Sequence, residues 1–260
     1  MRRGGQNAFV YVFWGLPIFM AACSMSAEDE DLSKVETVIA QVIKRAEMVN
    51  SYALEFEVRD DIAWGDGDIS YTHSMLSGLS FSNPQRGYYQ MTEVEGNGET
   101  ETTVFTDEIY EDEDAVYVNF NQEGWIKSEG YNNYNETGFE AMIQLLKEIK
   151  NTEEIIIEET EEAFEVSFPE MAEVLYEFYD PATSIMESDA FVETGVPEAF
   201  IKVDKEDYSV REFTTKFFYD ARTGSSSERV VTIEYRFDDI NEIEDIKIPD
   251  EVIEEAEANE

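Results

Sequence analysis

The sequence has one cysteine, one histidine and few bases: 18 Lys and Arg stand against 60 Asp and Glu, a formal net charge of −42 over 260 residues. A single cysteine excludes an internal disulfide framework. A single histidine, His73, leaves any Ser-His-Asp triad one base to use. His73 alternates with apolar neighbours, so a hydrogen-bonded structural role is expected of it. The scarcity of bases excludes nucleic-acid binding by phosphate neutralisation, because no basic patch exists to release counterions. Anionic lipid surfaces would repel such a body as well. Also absent are a Gly-x-Ser-x-Gly elbow, a His-Glu-x-x-His helix and a P-loop, so no catalytic or cofactor motif is legible. No apolar run reaches the about 20 residues that a membrane-spanning helix needs.

What is present argues for a folded body. Hydrophobic residues make up 42% and aromatics 13%, a composition that disordered segments lack. A chain of this length supports one substantial core, and one domain is the economical count. The acids are spread along the chain, which fits solvation in a saline or alkaline habitat, halophilic or alkaliphilic. A dedicated multivalent cation site is the competing reading. Its candidates are Asp107, Glu111, Asp112 and Asp114, within a crowd of six carboxylates in eight positions. Calcium takes six to eight oxygens, but EF-hand spacing is absent, and a solvated loop between strands is the expectation there.

The start of the chain carries an address. Arg2 and Arg3 precede the uncharged apolar run Ala8 to Ala22, and the small residues Ala21 and Ala22 stand before Cys23. Basic start, apolar stretch and small-residue cleavage site make a secretory signal peptide. Met20-Ala21-Ala22-Cys23 resembles the lipobox of bacterial lipoproteins, with Met20 where Leu is usual. That resemblance implies cleavage between Ala22 and Cys23 and a diacylglycerol, with acyl chains such as palmitate, on the Cys23 sulfur. The expected location is the outer, extracytoplasmic face of the cell membrane. Cleavage removes Arg2 and Arg3 and no acid, so the formal charge moves by two from −42 to −44. Membrane affinity must then come from the acyl chains, at about 0.8 kcal/mol per buried CH₂, with two chains needed for stable anchoring.

Residues 1–22 are thus read as signal peptide, 23–31 as lipidated tether, 32–252 as the domain and 253–260 as a fraying acidic tail. Ser33 and Glu36 form a capping box for a helix whose apolar stripe runs from Val35 to Val49. Strands follow: Tyr52, Leu54, Phe56 and Val58 alternate with polar residues, and Ile69 to Met75 repeat the pattern after a turn at Asp66-Gly67. Further strands are expected at 87–94, 100–106, 115–120 and 125–127. Thr137 to Glu140 is a second capping box, opening a helix with Phe139, Met142, Ile143 and Leu146 on one side. Strands at 154–159 and 163–168 precede a helix opening at Pro169, which Asp180-Pro181 interrupts, and a second helical piece to about Ala190. Strands at 198–203, 209–219 and 229–238 and an edge segment at Ile246 to Pro249 close the chain. Helix, strands, central helices and strands in that order define an antiparallel α+β class.

Several strand ends and turns resemble the LolA-like group of envelope lipoproteins, and more closely the Gram-positive lipoproteins with a LolA-like domain. The matching pieces are Val49-Asn50-Ser51-Tyr52, Tyr117-Val118-Asn119 with Gly124-Trp125, and Tyr235-Arg236-Phe237 with Asn241, Ile246 and Ile248-Pro249. The resemblance spans about residues 32 to 252. It implies a strongly curved antiparallel sheet, an unclosed barrel, with the N-terminal and central helices on its concave face. It also implies a non-catalytic role toward lipid or another apolar ligand, with a cell-envelope protein as a further partner. Phe139, Met142, Met171, Tyr176, Phe178 and Met186 are the adaptable and aromatic types that line such cavities, and ordinary core packing is the competing reading. Two other functions stay open, an acidic cell-surface protein with weak calcium binding and an envelope hydrolase.

Overall fold

Period-two alternation dominates the chain and makes it a sheet protein. The computed structural model describes residues 34–82, 85–128, 139–149, 155–168, 191–195, 197–221 and 227–259. All belong to one unit, Ser33–Glu260; the other, Met1–Leu32, lies outside the described residues. The elements are α1 (Lys34–Ala46), β1 (Ser51–Ala63), β2 (Ile69–Ser82), β3 (Gln85–Asn97), β4 (Glu101–Asp112), β5 (Val116–Phe120), β6 (Trp125–Ser128) and α2 (Phe139–Ile149). There follow β7 (Ile156–Glu159), β8 (Ala163–Phe168), β9 (Phe191–Glu193), β10 (Glu198–Asp204), β11 (Val210–Ala221), β12 (Glu228–Asp238) and α3 (Asp250–Asn259).

The strands form one antiparallel sheet in the order β6-β5-β4-β3-β2-β1-β12-β11-β10-β8-β7, with β9 beside β11. Two meanders thus meet at the β1–β12 pair, where Leu54 opposes Phe237 and Val58 opposes Ile233. The sheet is open and not strongly curled, which corrects the expected unclosed barrel. Bulges add curvature, and the described pairings shift register only at Lys202/Val203 and Glu93/Val94.

One sheet face is the core. Leu54, Leu76, Tyr89, Ile109, Val118, Phe237, Ile233, Phe213, Ile201 and Val166 are buried there with α1 and α2. α1 contributes Val38, Ile39, Val42 and Ala46, the helical stripe of the sequence. Its start is tied down by Lys34 Nζ, 2.6 Å from Glu159 Oε2. β6 and β7 lie at opposite ends of the sheet, so their connection must cross a face. α2 is part of that connection and rests over the middle, with Phe139 against Tyr52 of β1 and Phe237 of β12.

α3 corrects the sequence reading twice. Residues expected to fray form a helix, an element the sequence reading did not foresee, and it packs on the face opposite the one that α1 and α2 share. Val252 and Ala256 join Tyr117 and Trp125 in a separate small cluster. Trp125 N–H donates to Glu255 Oε1 at 3.4 Å, and Asn259 Nδ2 donates to Trp125 O at 2.9 Å, so α3 occupies backbone groups of the edge strand β6. The expected edge segment at 246–249 is not a strand; it leads into α3, with Ile246 buried.

Candidate functional site

Two concavities occur on the core face, one half-polar and one apolar. A groove of about 320 Å³ opens between the end of α1 and α2, with Ala46, Val49, Phe139 and Ile143 as its apolar lining. Glu47, Ser82, Gln144 and Lys147 make up its polar part, and Lys147 Nζ reaches Glu47 Oε1 at 2.9 Å. A second, smaller pocket of about 40 Å³ is lined by Leu54, Phe56, Met75, Leu76, Met91 and Tyr235, with Ser74 beside them.

Aromatic rings link the two. Phe139 lies 5.4 Å from Tyr52, Tyr52 5.6 Å from Phe237, Phe237 6.2 Å from Tyr235, and Tyr235 4.6 Å from Phe56, centroid to centroid. These spacings fall in the range of favourable aromatic pairs. The row exists because β1 and β12 pair in register: Leu54 opposes Phe237 and Phe56 opposes Tyr235, placing alternate residues of both strands under α2. Burial pushes the Tyr235 phenol well above its ordinary value, with Tyr52 adding to the rise.

Of the ligand-lining candidates, Phe139 lines the groove, whereas Met142 is fully packed core at 1% exposure. Met171, Tyr176, Phe178 and Met186 lie outside the described residues. Tyr52, Phe56, Tyr235 and Phe237 were not singled out as lining residues in the sequence. Alternation gives the inward side of each strand, but not that β1 and β12 are neighbours. The asparagines of the family-like turns prove structural. Asn241 Oδ1 accepts from Asn50 N–H at 2.7 Å and Asn241 Nδ2 donates to Met48 O at 3.2 Å, fastening the start of β1. Asn119 Oδ1 accepts from Gly124 N–H at 2.9 Å, closing the β5–β6 turn.

The cation candidates are separated by strand geometry. β4 runs to Asp112, so the expected loop is mostly strand. Asp107 and Glu111 share the core face with Ile109, about 13 Å apart by strand rise, while Asp112 points the other way. Asp107 Oδ1 accepts from Asn121 N–H at 3.0 Å, and Glu111 Oε1 from Gln85 Nε2 at 2.7 Å. Asp112 Oδ1 accepts the N–H groups of Asp114 and Ala115, both at 2.9 Å, and so shapes the turn. Among the described residues no three His, Cys, Asp or Glu side chains gather as metal ligands. His73 Nε2 lies 3.5 Å from Glu57 Oε2 without hydrogen-bond geometry, which corrects the hydrogen-bonded role expected of its ring.

A concavity of about 670 Å³ on the opposite face is lined by Glu57, Asp61, Glu212, Glu234, Arg59 and Lys216 among others. Burial raises the Glu234 carboxyl, opposed by Arg236 and reinforced by Glu212 and Glu57. Its charged walls are unsuited to an apolar guest.

The fold and its groove define an antiparallel α+β domain with a half-polar groove between α1 and α2 and a row of buried rings beneath it. The chain belongs to a family of unknown function, DUF6612, matched over residues 34–257. None of the curated proteins matches it in sequence. Among solved structures it is similar to LprF from Mycobacterium bovis, at 8% identity and a TM-score of 0.49, covering 83% of this chain and 96% of that one. It is also similar to a DUF1329 family protein from Desulfovibrio piger, at 10% identity and TM-score 0.24, covering 83% and 95%. A third is a LolA superfamily protein from Nitrosomonas europaea, at 9% identity and TM-score 0.21, covering 84% and 96%.

Proposed function

We propose that the protein is a lipid-anchored, extracytoplasmic binding protein that holds a single apolar, chain-like ligand and performs no catalysis. The carrying observation is the row of five rings, four of them buried, that runs from the groove to the apolar inner pocket. A groove of about 320 Å³ lies at the small end of ligand sites, about 300–1,000 Å³, which suits one hydrocarbon chain better than a whole lipid. The lipobox-like segment ending in Cys23 supports the anchor, and the LolA-like strand ends support a carrier role in the cell envelope.

Mass spectrometry of organic extracts from natively purified protein, paired with exchange of labelled fatty acid, tests the ligand. A co-purifying acyl species that exchanges is the expected result; no lipid and no exchange would sink the proposal. Ile143→Trp fills the groove from α2 and should abolish exchange while the protein stays folded. Labelled fatty acid should enter the wild type in cells and not Cys23→Ser, and equal labelling of both would remove the anchor.

A further inference from the structure

α3 is attached differently from every other helix of the described chain. Its buried residues, Val252 and Ala256, pack with Tyr117 and Trp125 in a cluster separate from the main core. Its polar links to β6 run through two side chains, Glu255 and Asn259, both on the backbone of Trp125. Release of α3 would therefore leave the main core whole while uncovering the β6 edge and the Trp125 ring.

The charge pattern of α3 works against the helix. Asp250, Glu251, Glu254, Glu255 and Glu257 are all exposed, and the helix holds no Lys or Arg. Four like-charge pairs fall at the spacings that face each other on a helix: 250 with 254, 251 with 254, 251 with 255, and 254 with 257. Glu257 also stands in the last turn, where the helix dipole disfavours anions, while Asp250 and Glu251 stand in the first, where it favours them, so the four pairs carry the repulsion. Ten residues are too few for a helix to persist alone against these terms, so docking holds it. Exposed repulsions of this kind are screened by salt, since the Debye length falls from about 30 Å at about 0.01 M to about 3 Å at about 1 M.

We propose that α3 is an ionic-strength-gated strap: salt holds it on β6, and dilution releases it and bares the edge strand and its aromatic shelf. Hydrogen exchange of the full-length chain, followed by mass spectrometry in dilute and concentrated sodium chloride, tests this. Exchange across 250–259 and 125–128 should slow about tenfold in high salt, the combined weight of the four pairs, with 228–238 unchanged. Equal rates for α3 in both salts, or protection of α3 equal to that of β12, would overturn it. Glu254→Lys makes three of the four pairs attractive at an exposed position. It should slow α3 exchange in dilute salt and flatten the salt response; an undiminished response would also refute the gate.

Discussion

Replacing Phe139 by alanine tests the packing and the cleft together. The ring is 3% exposed and meets two others, Tyr52 at 5.4 Å and Phe237 at 5.1 Å edge-on. Phe→Ala at such sites costs about 3–5 kcal/mol, part transfer and part cavity. For a domain of this size each kcal/mol moves Tm by about 2–4 °C, so a fall of roughly 6–20 °C is expected. The vacated space is walled by rings and aliphatic groups, so it stays dry and accepts a small hydrocarbon. Because Phe139 lines the groove, a small guest can reach that space from it. Benzene at about a hundred times its Kd should return about 2.7 kcal/mol to the variant, and little to the wild type. Thermal and urea melts with and without benzene measure both. A loss below about 1 kcal/mol would show that the ring is not packed as described. A full loss with no benzene response would show that the site collapses, and the link between groove and ring row would fall with it.

Two more perturbations have defined signs. Arg229 and Asp60 form a bidentate pair at 2.8 and 2.7 Å with side chains only 4% and 16% exposed, so Asp60→Ala should cost about 3–5 kcal/mol by stranding a buried charge. Asp60→Leu with Arg229→Met should recover most of that loss in urea melts, and a double variant no better than the single would refute the account. Glu159 is held at about 2, below its ordinary 4.5, first by the hydrogen bond from Lys205 and then by that from Lys34. Its folded value is depressed, so its contribution is present above about 4.5 and is lost as pH falls toward 2. The stability gap between wild type and Glu159→Gln, measured at fixed ionic strength, should close across that window, and a gap independent of pH would count against the pairing.

Much of the sheet was legible because burial writes itself into alternation. Tyr52 to Val58 gave β1 its inward side, and 163–168 gave β8 its bounds. α3 was missed because Glu254, Glu255 and Glu257 dominate the tail, and its buried stripe is only Val252 and Ala256. Pro249 before Asp250, with Val252, Ile253 and Ala256 at helical spacing, was the signal to read. The carboxylate crowd misled because neighbours in sequence point to opposite faces of a strand, as Glu111 and Asp112 do. The ring row needed the partnership of Phe56 with Tyr235, which lie far apart in the chain and share no local pattern.

The central seam also sets the order of assembly. β1 forms the first strand and β12 the last, yet they pair along eleven residue positions in the middle of the sheet. A chain emerging from its N-terminus can build the β1–β6 meander early, but β1 keeps an unpaired edge until residue 238 has arrived. Contacts of such long sequence separation form slowly, and open strand edges recruit one another meanwhile. The strong negative charge therefore has a use before the native state exists: it keeps half-finished sheets of neighbouring chains apart while each waits for its own last strand.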